Sequence, residues 1–215
     1  MKVVSITLAR GGSKGIPRKN LVPLSGKPLL YYRIRNAKLS NVVETWVSTD
    51  DDEIKQVAKY YGAQVIDRPI ELSLDSSKCE TALLHFANNV EFDYLVFLQN
   101  TSPLVLPEDI NRGIELVTSG KYDSVFSGYR EHWTGRWTLE NEPMNWDPRN
   151  RPRRQDVKEN YVENGAFYVT SRDNLLTSEL RYSGNIGVVE MPFSRSFQID
   201  TLDEVKIIER LIGIC

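Results

Sequence analysis

Short runs of apolar and β-branched residues alternate along the chain with longer stretches in which apolar positions recur every three or four residues. The short runs read as strands near Val3 to Leu8, Thr45 to Ser48, Tyr94 to Leu98, Ser124 to Ser127, Ala166 to Thr170 and Gly187 to Met191. The longer stretches read as helices over Pro28 to Lys38, Asp51 to Tyr61, Cys79 to Asn89, Pro107 to Ser119 and Leu202 to Ile212. Strands separated by amphipathic helices predict an α/β fold, a mostly parallel sheet with helices on both faces. Two helix starts carry acids at the positive end of the dipole: Asp50 ahead of Asp51-Asp52-Glu53, and Ser102-Pro103 ahead of Pro107-Glu108-Asp109. Capping explains the Asp50 to Glu53 cluster, with a metal site as the alternative.

The segment Glu131 to Glu163 breaks the alternation. It is rich in Trp, Pro, Asn and Arg and lacks aliphatic periodicity, so it reads as an insertion between strands of one domain spanning residues 1–215. Trp133, Trp137 and Trp146 predict a surface that is covered, most simply by a second subunit.

The 215 residues, 40% hydrophobic and 26% charged, suffice for one continuous core. A net charge of -2 provides no general positive field for nucleic acid or an anionic membrane, so an anion site must be built locally. The first apolar run is too short for a signal peptide, and no stretch approaches the roughly 20 apolar residues of a membrane span. The two cysteines, Cys79 and Cys215, lack the spacing of a zinc site or disulfide framework and point to a reducing cytoplasm, or the nucleus of a eukaryote.

Candidate chemistry concentrates in Arg10 to Asn20. Three glycines let backbone N–H groups approach an oxyanion, and four cations can pair with a polyphosphate. Neither G-x-x-x-x-G-K-[ST] nor G-x-G-x-x-G fits, and on composition alone a glycine turn with solvated cations is the alternative. The run Arg149, Arg151, Arg153 and Arg154 reads in isolation as a nucleic-acid patch, a nuclear targeting segment or solvated charge. Asn164-Gly165 reads as a turn. His85 and His132 have no identifiable partner and read as structural.

In full, Ala9 to Asn20 resembles the N-terminal motif of CMP-sialic acid synthetases (N-acylneuraminate cytidylyltransferases). The resemblance recurs in Trp46 to Asp50, Asp52-Glu53-Ile54, Gly62 to Val65, Asp75-Ser76-Ser77, Thr101-Ser102-Pro103, Arg151 to Asp156, Glu163 to Tyr168 and Ile199-Asp200-Thr201. It implies a Rossmann-like fold, an inserted dimerisation arm at 131–163 that reaches the neighbouring active site, a homodimer, and no nucleic-acid partner. The implied reaction is transfer of CMP from CTP to the anomeric hydroxyl of a sialic acid, releasing pyrophosphate. KDN, legionaminic, pseudaminic or Kdo acids are alternative acceptors, and a catalytically inactive nucleotide-binding relative is a further alternative.

The same resemblance places Arg10 and Lys19 on the triphosphate as catalytic cations, with Gly11, Gly12, Ser13 and Asn20 beside the nucleotide. Arg68 and Gln99 match nucleotide positions. Cys79 stands where the family has Ser or Thr, a weaker hydrogen-bonding group. Arg154 and Gln155 match the substrate-binding pair, Arg154 suiting the acceptor carboxylate. Asn164, Gly165 and Tyr168 match the following substrate motif. The family's Mg²⁺ ligands read Asp-x-Asp, whereas here the pair is Gln198 and Asp200. Asp200 with CTP oxygens can hold Mg²⁺, and Gln198 offers only a neutral carbonyl, directly or through water. Asp203 reads as a helix N-terminal acid.

Overall fold

In the computed structural model, which describes residues 1–212, seven strands form one sheet in the order β11-β7-β10-β6-β1-β4-β5. These are β1 (Val3–Leu8), β4 (Glu44–Thr49), β5 (Gln64–Asp67), β6 (Tyr94–Leu98), β7 (Ser124–Glu131), β10 (Asn160–Ser171) and β11 (Ile186–Glu190). Two small hairpins complete the set: β2 (Pro23–Leu24) with β3 (Lys27–Pro28), and β8 (Arg136–Trp137) with β9 (Pro143–Met144). Cys215 lies outside the described residues.

β1 is parallel to both β4 and β6, β4 to β5, and β7 to β11, while β10 runs antiparallel to β6 and β7. The helices are α1 (Leu29–Lys38), α2 (Asp52–Tyr60), α3 (Cys79–Asn89), α4 (Pro107–Thr118), α5 (Arg172–Ser178) and α6 (Leu202–Ile212). Strand alternation distributes the core over two faces. Val96, Leu98, Phe167 and Val169 pack with Ile110, Ile114 and Val117 of α4. Leu95, Phe97 and Tyr168 pack with Leu83 and Phe86 of α3 and Leu175 of α5. Helices therefore cover both faces, as the alternation predicts. Gly113 lets α4 lie close to β10: a Cβ there would meet the Phe167 ring at 2.9 Å and Val169 at 3.0 Å.

Several boundaries differ from the sequence reading. The N-cap of α2 is Asp51, whose carboxylate accepts from the Ile54 N–H at 2.9 Å, not Asp50. Leu106, not Ser102, occupies the α4 cap, and Asp109 accepts from its N–H at 3.0 Å. β5 and α5 were not expected: the four residues of β5 are half-buried or exposed, and α5 buries only Leu175. Glu131 pairs with Asn160, so both ends of the expected insertion are strand and the irregular part is residues 132–159. Within it, Trp137 and Trp146 meet edge to face at 5.2 Å and Trp133 and Trp146 at 6.1 Å, with Arg151 over Trp133 and Trp146. The three tryptophans thus cover much of one another. No helix among the described residues is long and apolar enough to cross a membrane.

Candidate active site

The chain leaves β1, runs to α1 and returns as β4 on one side, while β6 lies on the other. This reversal opens a crevice beyond the carboxyl ends of β1 and β6. A cavity of about 290 Å³ occupies it, walled by Leu8 at the end of β1, Arg10, Ser13, Lys14, Gly15, Lys19 and Asn20 from the loop, Phe97, Gln99, Asn100 and Thr101 from β6 and beyond, and Cys79 at the start of α3.

Local contacts fix the loop. Asn20 is buried; its amide donates to the Arg10 carbonyl at 2.8 Å and its oxygen accepts from Asn100 at 2.7 Å. Gly15 packs against the Asp200 carbonyl, which a Cβ would meet at 2.8 Å. The Gly11 N–H donates to Asp50 at 3.1 Å, so it ties the loop to the end of β4 instead of pointing into the cavity. Gly11 and Gly12 belong to the loop but not to the cavity wall.

The cations are held by carboxylates. Asp75 lies 2.7 Å from Arg10 and 2.9 Å from Lys14, and these partners, the Lys14 hydrogen bond foremost, hold its carboxyl below the usual range. Lys19 lies 2.8 Å from Asp200 and 3.2 Å from the Ile199 carbonyl. Arg68 is buried, 3.8 Å from Asp50, and two of its nitrogens find no hydrogen-bond partner among the described residues. Burial pulls its pKa down. Four cations at the cavity or just behind it, three of them exchangeably paired, can receive a group with several anionic oxygens.

Of the residues expected at the nucleotide, Arg10, Ser13, Lys19, Asn20, Cys79 and Gln99 converge on this cavity. Lys14, Asp75 and Thr101 stand in the quoted loop and motifs but carry no individual role in the sequence reading, and Asn100 does not appear in it. Lys14 was legible from its place in the loop, whereas Asp75 becomes relevant only once the fold brings it to Arg10.

The expected acceptor residues divide between two places. Arg154 and Gln155 sit on an exposed turn of residues 154–156, beside a second cavity of about 350 Å³ with His132, Trp133, Val157 and Glu159. Asn164, Gly165 and Tyr168 lie at a register shift in β10. The Asn164 side chain is committed internally, accepting from Ser127 at 2.6 Å and from the Ala166 N–H at 3.1 Å and donating to Ser196 at 3.0 Å. Tyr168 is buried, donates to Glu163, and has its pKa raised by burial and by that carboxylate. Its ring stacks on Phe97 at 5.6 Å. Tyr168 therefore backs the Phe97 wall of the cavity, while Asn164 braces β10 against its neighbours.

The metal position is similarly constrained. The Gln198 amide donates to the Asn164 carbonyl at 2.5 Å, and its oxygen faces the Thr101 hydroxyl at 3.4 Å. Both ends of that amide are engaged within the protein. Asp203 pairs with Lys206 at 2.9 Å and Glu204 accepts from the Thr201 N–H, so both serve α6. Among the described residues no group of three or more His, Cys, Asp or Glu side chains could hold a metal ion. The exposed Asp200 carboxylate beside the cavity fits a hard cation that takes most of its ligands from phosphate and water.

Comparison with known proteins bears on this geometry. N-acylneuraminate cytidylyltransferase A of Danio rerio is 41% identical over 207 residues, covering 92% of this chain and 48% of that protein. The Oncorhynchus mykiss N-acylneuraminate cytidylyltransferase is 42% identical over 79% of this chain and 41% of its own length. The chain spans about half the length of these curated relatives. A pseudaminic acid cytidylyltransferase of Campylobacter jejuni is 30% identical, covering 96% of this chain and 94% of that protein. In fold, the chain matches a CMP:2-keto-3-deoxy-manno-octonic acid synthetase solved with CTP, with a TM-score of 0.76 at 20% identity over 100% of this chain and 99% of that one. Residues 4–211 match the cytidylyltransferase family model, and with its cation-walled crevice at the β1/β6 switch point the chain belongs to the cytidylyltransferase family.

Proposed function

We propose that this chain transfers CMP from CTP to the anomeric hydroxyl of an N-acylneuraminate and releases pyrophosphate. The observation that carries the reading is the cavity in which Arg10, Lys14 and Lys19 meet beyond β1 and β6, supported by the names of the relatives that are 41% and 42% identical. In the reaction the acceptor hydroxyl oxygen bonds to the α-phosphorus and gives up its proton to solvent, the bond from that phosphorus to the oxygen bridging to the β-phosphate breaks, and pyrophosphate departs with the electron pair. Arg10 and Lys19 neutralise the charge that grows on the leaving group, exchanging Asp75 and Asp200 for phosphate oxygens. Gln99, Cys79 and the Ser13 side of the loop surround the nucleoside. Asp200, together with phosphate oxygens, would hold a Mg²⁺ ion, which would supply further charge neutralisation when bound.

Arg154 and Gln155, remote from the first cavity's wall, suit a homodimer in which the 132–159 arm reaches the neighbouring site and Arg154 pairs with the acceptor carboxylate. The proposed setting is the cytoplasm.

A second reading, in which the acceptor is pseudaminic acid, is favoured by the relative whose length this chain nearly fills. Purified protein with CTP, Mg²⁺ and a panel of nonulosonic acids separates the two. Pyrophosphate release fastest with N-acetylneuraminate supports the first reading; faster release with pseudaminic acid replaces it, and silence with every acceptor rejects both. Arg10→Ala and Lys19→Ala should each abolish most of the release.

A further inference from the structure

Arg10 and Lys19 wall the cavity, and each has a neighbour in the chain that is fastened to the corner between β4 and α2. Gly11, next to Arg10, donates its N–H to Asp50 at 3.1 Å and packs so close to Asp51 that a Cβ would meet the carboxylate at 2.7 Å. Arg18, next to Lys19, places its Nη2 2.8 Å from the carboxylates of both Asp51 and Glu53. Asp51 is fixed in turn: its carboxylate caps α2 through the Ile54 N–H at 2.9 Å, and its own N–H donates to the Thr49 hydroxyl at 3.1 Å. Burial pushes its carboxyl up, but the Ile54 N–H and Arg18 outweigh this and hold it below the ordinary range. The backbone at Arg18 serves the contact. Its φ of +52° lies in the left-handed region, uncommon for a residue other than Gly, Asn or Asp, immediately before the tight turn Lys19–Leu21. The two adjacent side chains diverge there, Arg18 going to the start of α2 and Lys19 to Asp200.

We propose that Arg18, clasped to Asp51 and Glu53, is a positioning residue that fixes Lys19 relative to Arg10, an inference that rests on the CTP reading above. Both flanks of the loop meet on Asp51, Gly11 by packing and Arg18 by its charge, so this one carboxylate sets the spacing of the two cations. Arg18 itself is no part of the cavity wall and acts only through its neighbour. The exposure of the clasp argues against a role in stability. The Arg18 side chain is 46% exposed and that of Glu53 63%, and ion pairs so open to solvent contribute little to folding. Geometry is where such a contact acts, because a shift of about 1 Å in a positioned group can cost as much as about 100-fold in rate.

A merely structural tie would shift stability and leave turnover alone. Arg18→Asn removes the guanidinium but keeps a residue at home in the left-handed region, and Arg18→Lys keeps a long charged arm. Asp51→Asn keeps an oxygen for the Ile54 N–H. Pyrophosphate release is measured with CTP, Mg²⁺ and N-acetylneuraminate, or pseudaminic acid should the wild type prefer it. Arg18→Asn should lower kcat about tenfold, change KM for either substrate less than about threefold and leave the urea midpoint unchanged, and Arg18→Lys should recover most of the loss. Asp51→Asn should show the same fall in kcat, which remains readable should Arg18→Asn fail to fold. Combining Arg18→Asn with Asp51→Asn should lose no more than either alone, and in a Lys19→Met background Arg18→Asn should cost less than about threefold. A wild-type kcat in both Arg18→Asn and Asp51→Asn, or a tenfold loss that persists in full in the Lys19→Met background, overturns the proposal while leaving the reaction intact. Absence of pyrophosphate release by the wild type with every acceptor overturns both readings.

Discussion

The Nζ of Lys19 lies 2.8 Å from the Asp200 carboxylate, joining the first loop of the chain to the segment that precedes its last helix. Gly15 reinforces the junction by packing against the Asp200 carbonyl. Asp200 is largely exposed, so the pair contributes little to stability, about 1 kcal/mol at most. Under the proposed reaction its value is positional: it stores a cation at the cavity and leaves a carboxylate free when phosphate takes that cation. Lys19→Met and Asp200→Asn should each lower kcat/KM for CTP by about 100-fold, the usual cost of one group stabilising transition-state charge. If both serve one phosphate cluster, as proposed, the double variant should lose less than the product of the two single losses. Strictly multiplicative losses in steady-state kinetics would mean the two residues act apart.

Gly165 and Gln198 are coupled sterically. Gly165 has φ of +62°, and a Cβ there would stand 2.8 Å from the Gln198 amide nitrogen. Gly165→Ala should therefore cost the left-handed penalty of about 1–2 kcal/mol and in addition displace Gln198 from the Asn164 carbonyl. Gln198→Ala alone leaves that carbonyl without its donor, about 1–3 kcal/mol. Combining them removes the clash, so urea denaturation should find the double variant more stable than the sum of single effects by about 0.5 kcal/mol or more. Simple additivity would separate the two positions.

What the sequence made legible follows from the range of the interactions. Glycines and cations adjacent in the chain exposed the Arg10 to Asn20 loop, and period-two and period-3.6 patterns located six strands and five helices near their observed places. β5 and α5 escaped because a four-residue edge strand and a seven-residue helix bury too little to imprint a period. The site residues that were missed or misread are those whose roles depend on distant partners. Asp75 matters through Arg10, Asn100 through Asn20, and the donors and acceptors of Asn164 are taken by Ser127 and Ser196. Asp50 was read as a cap from its neighbours, yet its carboxylate turns to Gly11 and Arg68.

Asp109 gives the fold an acid-sensitive anchor. Its carboxylate, 2% exposed, accepts from both terminal nitrogens of Arg195, from Arg112 at 2.6 Å and from the Leu106 N–H at 3.0 Å, tying α4 to the segment after β11. Burial pushes the carboxyl up, but the Arg195 hydrogen bond, the Leu106 N–H and the arginine charges outweigh it and hold the group below its ordinary range. Asp109 also attracts the wholly buried Arg33, whose own pKa burial pulls down to about 9. A carboxyl depressed by folding stabilises the native state above its unfolded value of about 3.9, and that contribution is lost as pH falls through the folded value. Asp109→Asn should thus cost about 3 kcal/mol at pH 7, because Arg195 is left partly buried without its counter-ion. The gap between variant and wild type should narrow steadily below about pH 4. Urea denaturation of both proteins across that range checks the sign, and a gap that stays constant from neutral pH into acid would show that the charge of Asp109 does not stabilise this junction.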